Sequence, residues 1–160
     1  MKMVTPQQIT SIGIQLANKC NTEEDRQQAL EFVWEILESD SIASIDGKDI
    51  CDSLDYCGHL TAFETGVSAT ATKRMDLLIE QIKEKTKDCY PIFSLVVYLF
   101  CPEDVPVLMG ELQSLNDWLS SITDLDSATQ IKWGMAQTPP SSNANLRAIV
   151  LAITDKKLNS

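Results

Sequence analysis

The sequence holds one histidine, His59, and no apolar run long enough for a bilayer, the longest being Ile92 to Phe100 with Ser94 inside it. That run is about half of the ~20 residues a membrane span needs, so no membrane partner is expected. A single histidine excludes a His-rich metal centre. Cys57-Gly58-His59 offers two ligands where zinc takes four, so no metal is expected, and a Cys-His nucleophile pair has no further support. No GxxxxGK[ST], GxGxxG or GxSxG occurs, which removes the usual basis for an autonomous nucleotide-dependent enzyme or a serine hydrolase; no cofactor is expected. Cations are few, 13 against 23 carboxylates, and a net charge of −10 repels a phosphate backbone, so nucleic acid is excluded as a partner. The five cysteines are odd in number and form no CxxC pair, and residues 1–6 carry no apolar signal region. Reduced thiols and a cytoplasmic location are expected.

What is present is ordinary for a globular chain: 160 residues, 44% apolar and 22% charged, with six glycines and six prolines. One compact domain with a real core fits that length, and disordered or fibrous classes do not. The acidic charge is concentrated. Glu23 to Asp55 carries eleven carboxylates against Arg26 and Lys48, and the rest is nearly neutral. Such a block is either a solvated helix face or a functional surface.

Thr5-Pro6 reads as a cap and first turn for a helix to about Asn18. Asn21 to Asp25 caps a second helix over 22–38, whose apolar stripe is Ala29, Val33, Ile36 and Leu37. A polar, turn-rich loop from Asp40 to Gly47 leads to a short helix marked by Ile50, Leu54 and Cys57 and ended by Gly58. His59 to Phe63 alternates as a strand, Gly66 to Thr70 forms a small-residue turn, and a helix follows over 71–87. Residues 92–100 show no alternation and read as a central strand buried on both faces. A helix over 103–122 repeats apolar residues for about five turns. Strands over 130–135 and 146–153 close the chain around a Pro139–Asn143 loop. The order α-α-α-β-α-β-α-β-β predicts an α+β fold, specifically an α/β two-layer sandwich. It has a four-stranded, mostly parallel sheet with an antiparallel last strand, two helices on one face and helices preceding it.

One segment stands out chemically. In Ser44-Ile45-Asp46-Gly47-Lys48-Asp49-Ile50, two carboxylates three residues apart enter a helix N-terminus. Capping accounts for that spacing, since Asp accepts backbone N–H bonds and meets the dipole favourably. The same segment also resembles the synergy loop of the bacterial tubulin-like cell-division GTPases, the FtsZ family, and Asp49 through Gly58 resembles the helix that follows it. Glu64-Thr65-Gly66-Val67-Ser68-Ala69 with Lys73-Arg74 is similar to the family's glycine-rich and arginine segment. Ile131 to Met135 and Leu146 to Val150 are similar to its last two strands. The likeness runs over about 22–153 and departs at Ser44, where the family carries asparagine.

The resemblance implies an FtsZ/tubulin C-terminal-domain-like unit over 41–160. Residues 1–40 form a helical segment ending in a helix like the one that joins the two halves of an FtsZ subunit. The family's phosphate-binding loop is absent from this sequence, so the chain is expected to hold no GTP and to be no enzyme alone. Asp46 and Asp49 would act in trans, orienting the attacking water on a partner's nucleotide, with Ser44, Gly47, Lys48 and Asp52 at the contact. The implied partner is a tubulin-like GTPase or its N-terminal domain, and self-association is left open. The competing expectation is a stand-alone α+β protein- or ligand-binding module unrelated to filaments.

Overall fold

The computed structural model describes residues 4–39, 41–89, 91–125, 128–140 and 145–155. Asp40 of the expected loop and Ser141–Asn143 of the Pro139–Asn143 loop lie outside them. The elements are α1 (Pro6–Lys19), α2 (Glu23–Glu38), β1 (Ser41–Ala43), α3 (Gly47–Leu54), β2 (His59–Ser68), α4 (Arg74–Thr86), β3 (Ile92–Pro102), α5 (Met109–Leu125), β4 (Gln130–Thr138) and β5 (Asn145–Thr154).

The α/β class holds, and three details of the expected architecture are corrected. Among the described residues the sheet has five strands, in the order β1-β4-β3-β5-β2. The added strand, Ser41–Ala43, is three residues long inside a Ser- and Asp-rich stretch, too short for alternation to show. The sheet is mixed rather than mostly parallel: only β3 and β4 run parallel, while β1–β4, β3–β5 and β2–β5 are antiparallel. β2 and β3 do share a direction, as a helical crossover dictates, but β5 lies between them. The sandwich, finally, has helices on both faces instead of one.

That last point follows from β3. Leu95, Val97, Leu99 and Cys101 enter a core with Leu78, Ile82, Leu115 and Ile122 of α4 and α5. Val96, Tyr98 and Phe100 enter a second core with Leu16, Val33, Ile36, Ile50 and Leu54 of α1, α2 and α3. Successive strand residues point to opposite faces, so a run of apolar residues without alternation needs cover on both sides. β5 is built the same way, with Leu146, Ala148 and Val150 in the first core and Ile149, Leu151 and Ile153 in the second.

Element ends follow local chemistry. Thr5 and Gln8 close a capping box on α1, and the Thr22 hydroxyl accepts the Asp25 N–H at the start of α2. β2 runs to Ser68, five residues past its expected end at Phe63, because β5 pairs with it residue for residue from His59–Thr154 to Ser68–Asn145. The helix expected from 103 begins at Met109, since Pro106 and the irregular segment before it occupy the turn. Gly58, at φ +148, makes the turn into β2 that a side chain would oppose.

Gly134 has a different role. A Cβ there would lie 2.6 Å from Tyr98 Cε1 and 2.8 Å from the Ala43 carbonyl oxygen. Tyr98 is fully buried and the backbone atom cannot yield, so Gly134→Ala is expected to cost about 1–3 kcal/mol in urea denaturation. An unchanged midpoint would show that β1 and β4 are further apart than described.

Candidate functional site

The acidic loop leaves β1, passes Ser44 and buried Ile45, and enters α3 at Asp46. Asp46 and Asp49 form a reciprocal pair. Asp46 Oδ1 accepts the Asp49 N–H at 2.9 Å, and Asp49 Oδ2 accepts the Asp46 N–H at 3.0 Å. Two backbone donors at the helix start are satisfied in this way, and the loop is held in one conformation.

The other oxygen of Asp49 is also engaged. Lys132 Nζ on β4 donates to Asp49 Oδ1 at 3.3 Å and lies 3.9 Å from Asp52 Oδ2, which Lys48 Nζ also approaches at 2.7 Å. Partial burial opposes ionisation of Asp49, but the Asp46 N–H and the Lys132 ammonium outweigh it and hold its carboxyl below the usual carboxylate range. Asp46 differs: it is exposed, and only its Oδ1 accepts a hydrogen bond among the described residues. Ser44, Lys48 and Asp52 are exposed with it. Gly47 is buried, and a Cβ there would stand 2.5 Å from Gln8 Oε1 at the start of α1. The expected residues are therefore gathered on one turn, with Gly47 beneath the surface.

Two further supports were not read from the sequence. Lys132 occupies a position that alternation marks only as polar, and the pairing of β4 brings it under α3. Behind the loop, the Tyr98 hydroxyl lies 2.7 Å from Ser39 Oγ and 2.8 Å from Ser41 Oγ, tying the end of α2 and the start of β1 to β3.

Among the described residues, no group of three or more His, Cys, Asp or Glu gathers to hold a metal. All five cysteines are free, and burial raises the thiol pKa of Cys89 and Cys101. No described helix is long and apolar enough to cross a membrane.

A cleft of about 790 Å³ lies away from the loop, between the β2–α4 turn and the segment leading into α5. Two of its charged groups, Arg74 and Glu111, are matched to each other. Arg74 donates to Glu111 at 2.7 and 2.9 Å, to the Ala69 carbonyl at 2.8 Å and to the Pro106 carbonyl at 3.0 Å. This buried fork rivets two loops together.

Solved structures share the fold. An FtsZ W319Y mutant from M. jannaschii matches at TM-score 0.62 and 16% identity, over 82% of this chain and 39% of that one. An empty FtsZ dimer from M. jannaschii matches at TM-score 0.61 and 18% identity, over 86% of this chain and 43% of that one. The fold is that of the FtsZ/tubulin C-terminal domain. The chain spans about two fifths of the length of those FtsZ chains. No family model matches the sequence, and no curated protein does. Within this FtsZ-like fold the acidic loop and the Arg74 fork lie on separate surfaces, one beside α3 and the other between α4 and α5.

Both depressed carboxyls give a pH signature. The Arg74 guanidinium holds Glu111 low, outweighing its partial burial, as Lys132 and the Asp46 N–H hold Asp49 low. A carboxyl whose folded pKa is depressed adds stability that is fully present above its unfolded value. That stability is lost as the pH falls through the folded one. Stability should therefore decline from about the ordinary values of 4.5 and 3.8 downward, and Glu111→Gln and Asp49→Asn should each flatten that acid limb. At neutral pH Glu111→Gln, which strands Arg74, is expected to cost about 3 kcal/mol. Thermal melts from pH 2 to 7 check both outcomes, and an acid limb unaltered in either variant would contradict the assignment.

Proposed function

We propose that this chain is a non-enzymatic, FtsZ/tubulin C-terminal-domain-like protein. It meets a polymerising tubulin-like GTPase, or the N-terminal domain of one, through the turn bearing Ser44, Asp46, Lys48 and Asp52, in cell division or a related cytoskeletal process. The observation that carries this reading is the fixed and exposed carboxylate of Asp46 on a fold shared with FtsZ. A carboxylate that orients an attacking water must be in place beforehand and must keep an oxygen for that water. Asp46 meets both conditions. Asp49 has both oxygens committed, so its role is to position Asp46 and the loop.

The sequence carries no phosphate-cradling loop, and on this reading the nucleotide belongs to the partner. A chain with one of two head-to-tail surfaces can engage one end of a filament, where it completes a hydrolysis site or caps growth.

The test is phosphate release and light scattering by a polymerising FtsZ-type GTPase with wild-type chain, Asp46→Asn or Asp49→Asn, alongside a melt of each. Wild type is expected to change the partner's turnover. Asp46→Asn should lose that effect while its melting temperature barely moves, because Asn caps a helix about as well as Asp. Asp49→Asn should keep part of the effect and lose about 0.5–1 kcal/mol of stability with the Lys132 contact. No effect from any of the three proteins would contradict the reading and leave a binding module unrelated to filaments.

A further inference from the structure

The two edges of the sheet are built differently. β1 closes one edge with three residues and a register irregularity, which gives an incoming strand little to pair with. β2 closes the other with ten residues, His59 to Ser68, in unbroken register with β5 and without proline. Beyond that ladder, the only backbone hydrogen bond to β2 among the described residues is from the Ala71 N–H to the Ser68 carbonyl. The outward N–H and C=O groups of a long, regular strand are thus left open, a configuration that natural sheets generally blunt.

The usual electrostatic guard is missing as well. Glu64 is the only charged residue of β2, and Arg147, which also holds Glu35, donates to it from Nε at 2.7 Å. Segment 59–88, which forms this edge and the adjacent α4, carries five cations and five carboxylates, so the whole excess of ten negative charges lies elsewhere in the chain. Beside the edge runs a groove of about 510 Å³, floored by Thr65, Val67 and Leu77, with Leu77 47% exposed. Glu80 and Glu84 along its rim are negative and Lys85 beside them is positive, so the rim carries both signs.

We propose that β2 pairs antiparallel with β2 of a second copy of this chain, joining two five-stranded sheets into one of ten strands. Charge selects this occupant: two chains of −10 can approach closely only where each is neutral, and a rim bearing both signs is complementary to itself. A two-fold axis centred on Thr65 sets Phe63 of one copy opposite Val67 of the other, an aromatic–β-branched pair, and sets Glu64 opposite Gly66 instead of another Glu64. Both copies of Leu77 are then covered from the groove side. This contact uses nothing from the acidic loop and stands or falls independently of it.

Sedimentation velocity from about 1 to 300 μM, with amide hydrogen exchange at both ends of that range, tests the proposal. A monomer–dimer equilibrium is expected, with exchange of β2 amides slowed at least tenfold at the high concentration while amides of β1 are unchanged. Leu77→Lys and Val67→Lys should each shift the dimer equilibrium at least tenfold towards monomer. Leu77→Lys, exposed on α4, should keep the wild-type melt, and it remains informative if Val67→Lys fails to fold. A monomer throughout would overturn the proposal, including if the edge instead takes an extended segment of another protein. A dimer that leaves β2 exchange or the Leu77→Lys equilibrium unchanged would overturn it too.

Discussion

β3 is apolar on both faces and paired on both edges, and most of the molecule is arranged to satisfy it. Val97 and Leu99 can be taken out of water only by α4 and α5, Val96 and Phe100 only by α1, α2 and α3. Covering one face alone would leave a row of large side chains in water at roughly 1.5–3 kcal/mol each. The helical layers therefore share one strand as their common floor, and β5, with the same two-sided pattern, extends that floor towards β2.

The acidic loop inherits its position from this arrangement. Tyr98 sits on the α1–α3 face of β3, and its ring carries a hydroxyl deep between the layers on that side. Burying it requires partners, and Ser39 and Ser41 supply them from the two ends of the α2–β1 connection. Gly134 gives the ring its space. The chain then has three residues of β1 before α3 begins, and Lys132 from the neighbouring strand meets Asp49 there. A surface turn is thus built on buried and half-buried contacts, and its precision comes from the core.

Much of this was legible in the sequence, for identifiable reasons. The helices were marked by caps and stripes of the right period, such as Thr22 with Ala29, Val33, Ile36 and Leu37. The unbroken run 92–100 announced an internal strand. It also announced helices on both faces, a consequence that a two-layer reading overlooks even though the stripes of α1, α2 and α3 had no other surface to cover. The order of β5 between β2 and β3 was not legible, because periodicity reports burial and carries nothing about neighbours. The same limit hid Lys132: its partners lie 83 and 80 positions away, and only strand pairing brings them together. The site's carboxylates were visible as a capping pattern, while the difference between an exposed Asp46 and a fully engaged Asp49 needed distances.

If β3 is the shared floor of both layers, neither layer can be lost without exposing the other face of the same strand, and the chain should unfold as one unit. Native-state hydrogen exchange across a denaturant series reads this directly at Val33 in α2, Leu78 in α4 and Val97 in β3. All three amides are expected to converge on one free energy and one denaturant slope. Exchange of Val33 through a separate opening, with a smaller slope and the sheet still protected, would contradict the account and make the α1–α2 layer an appendage of a two-layer domain.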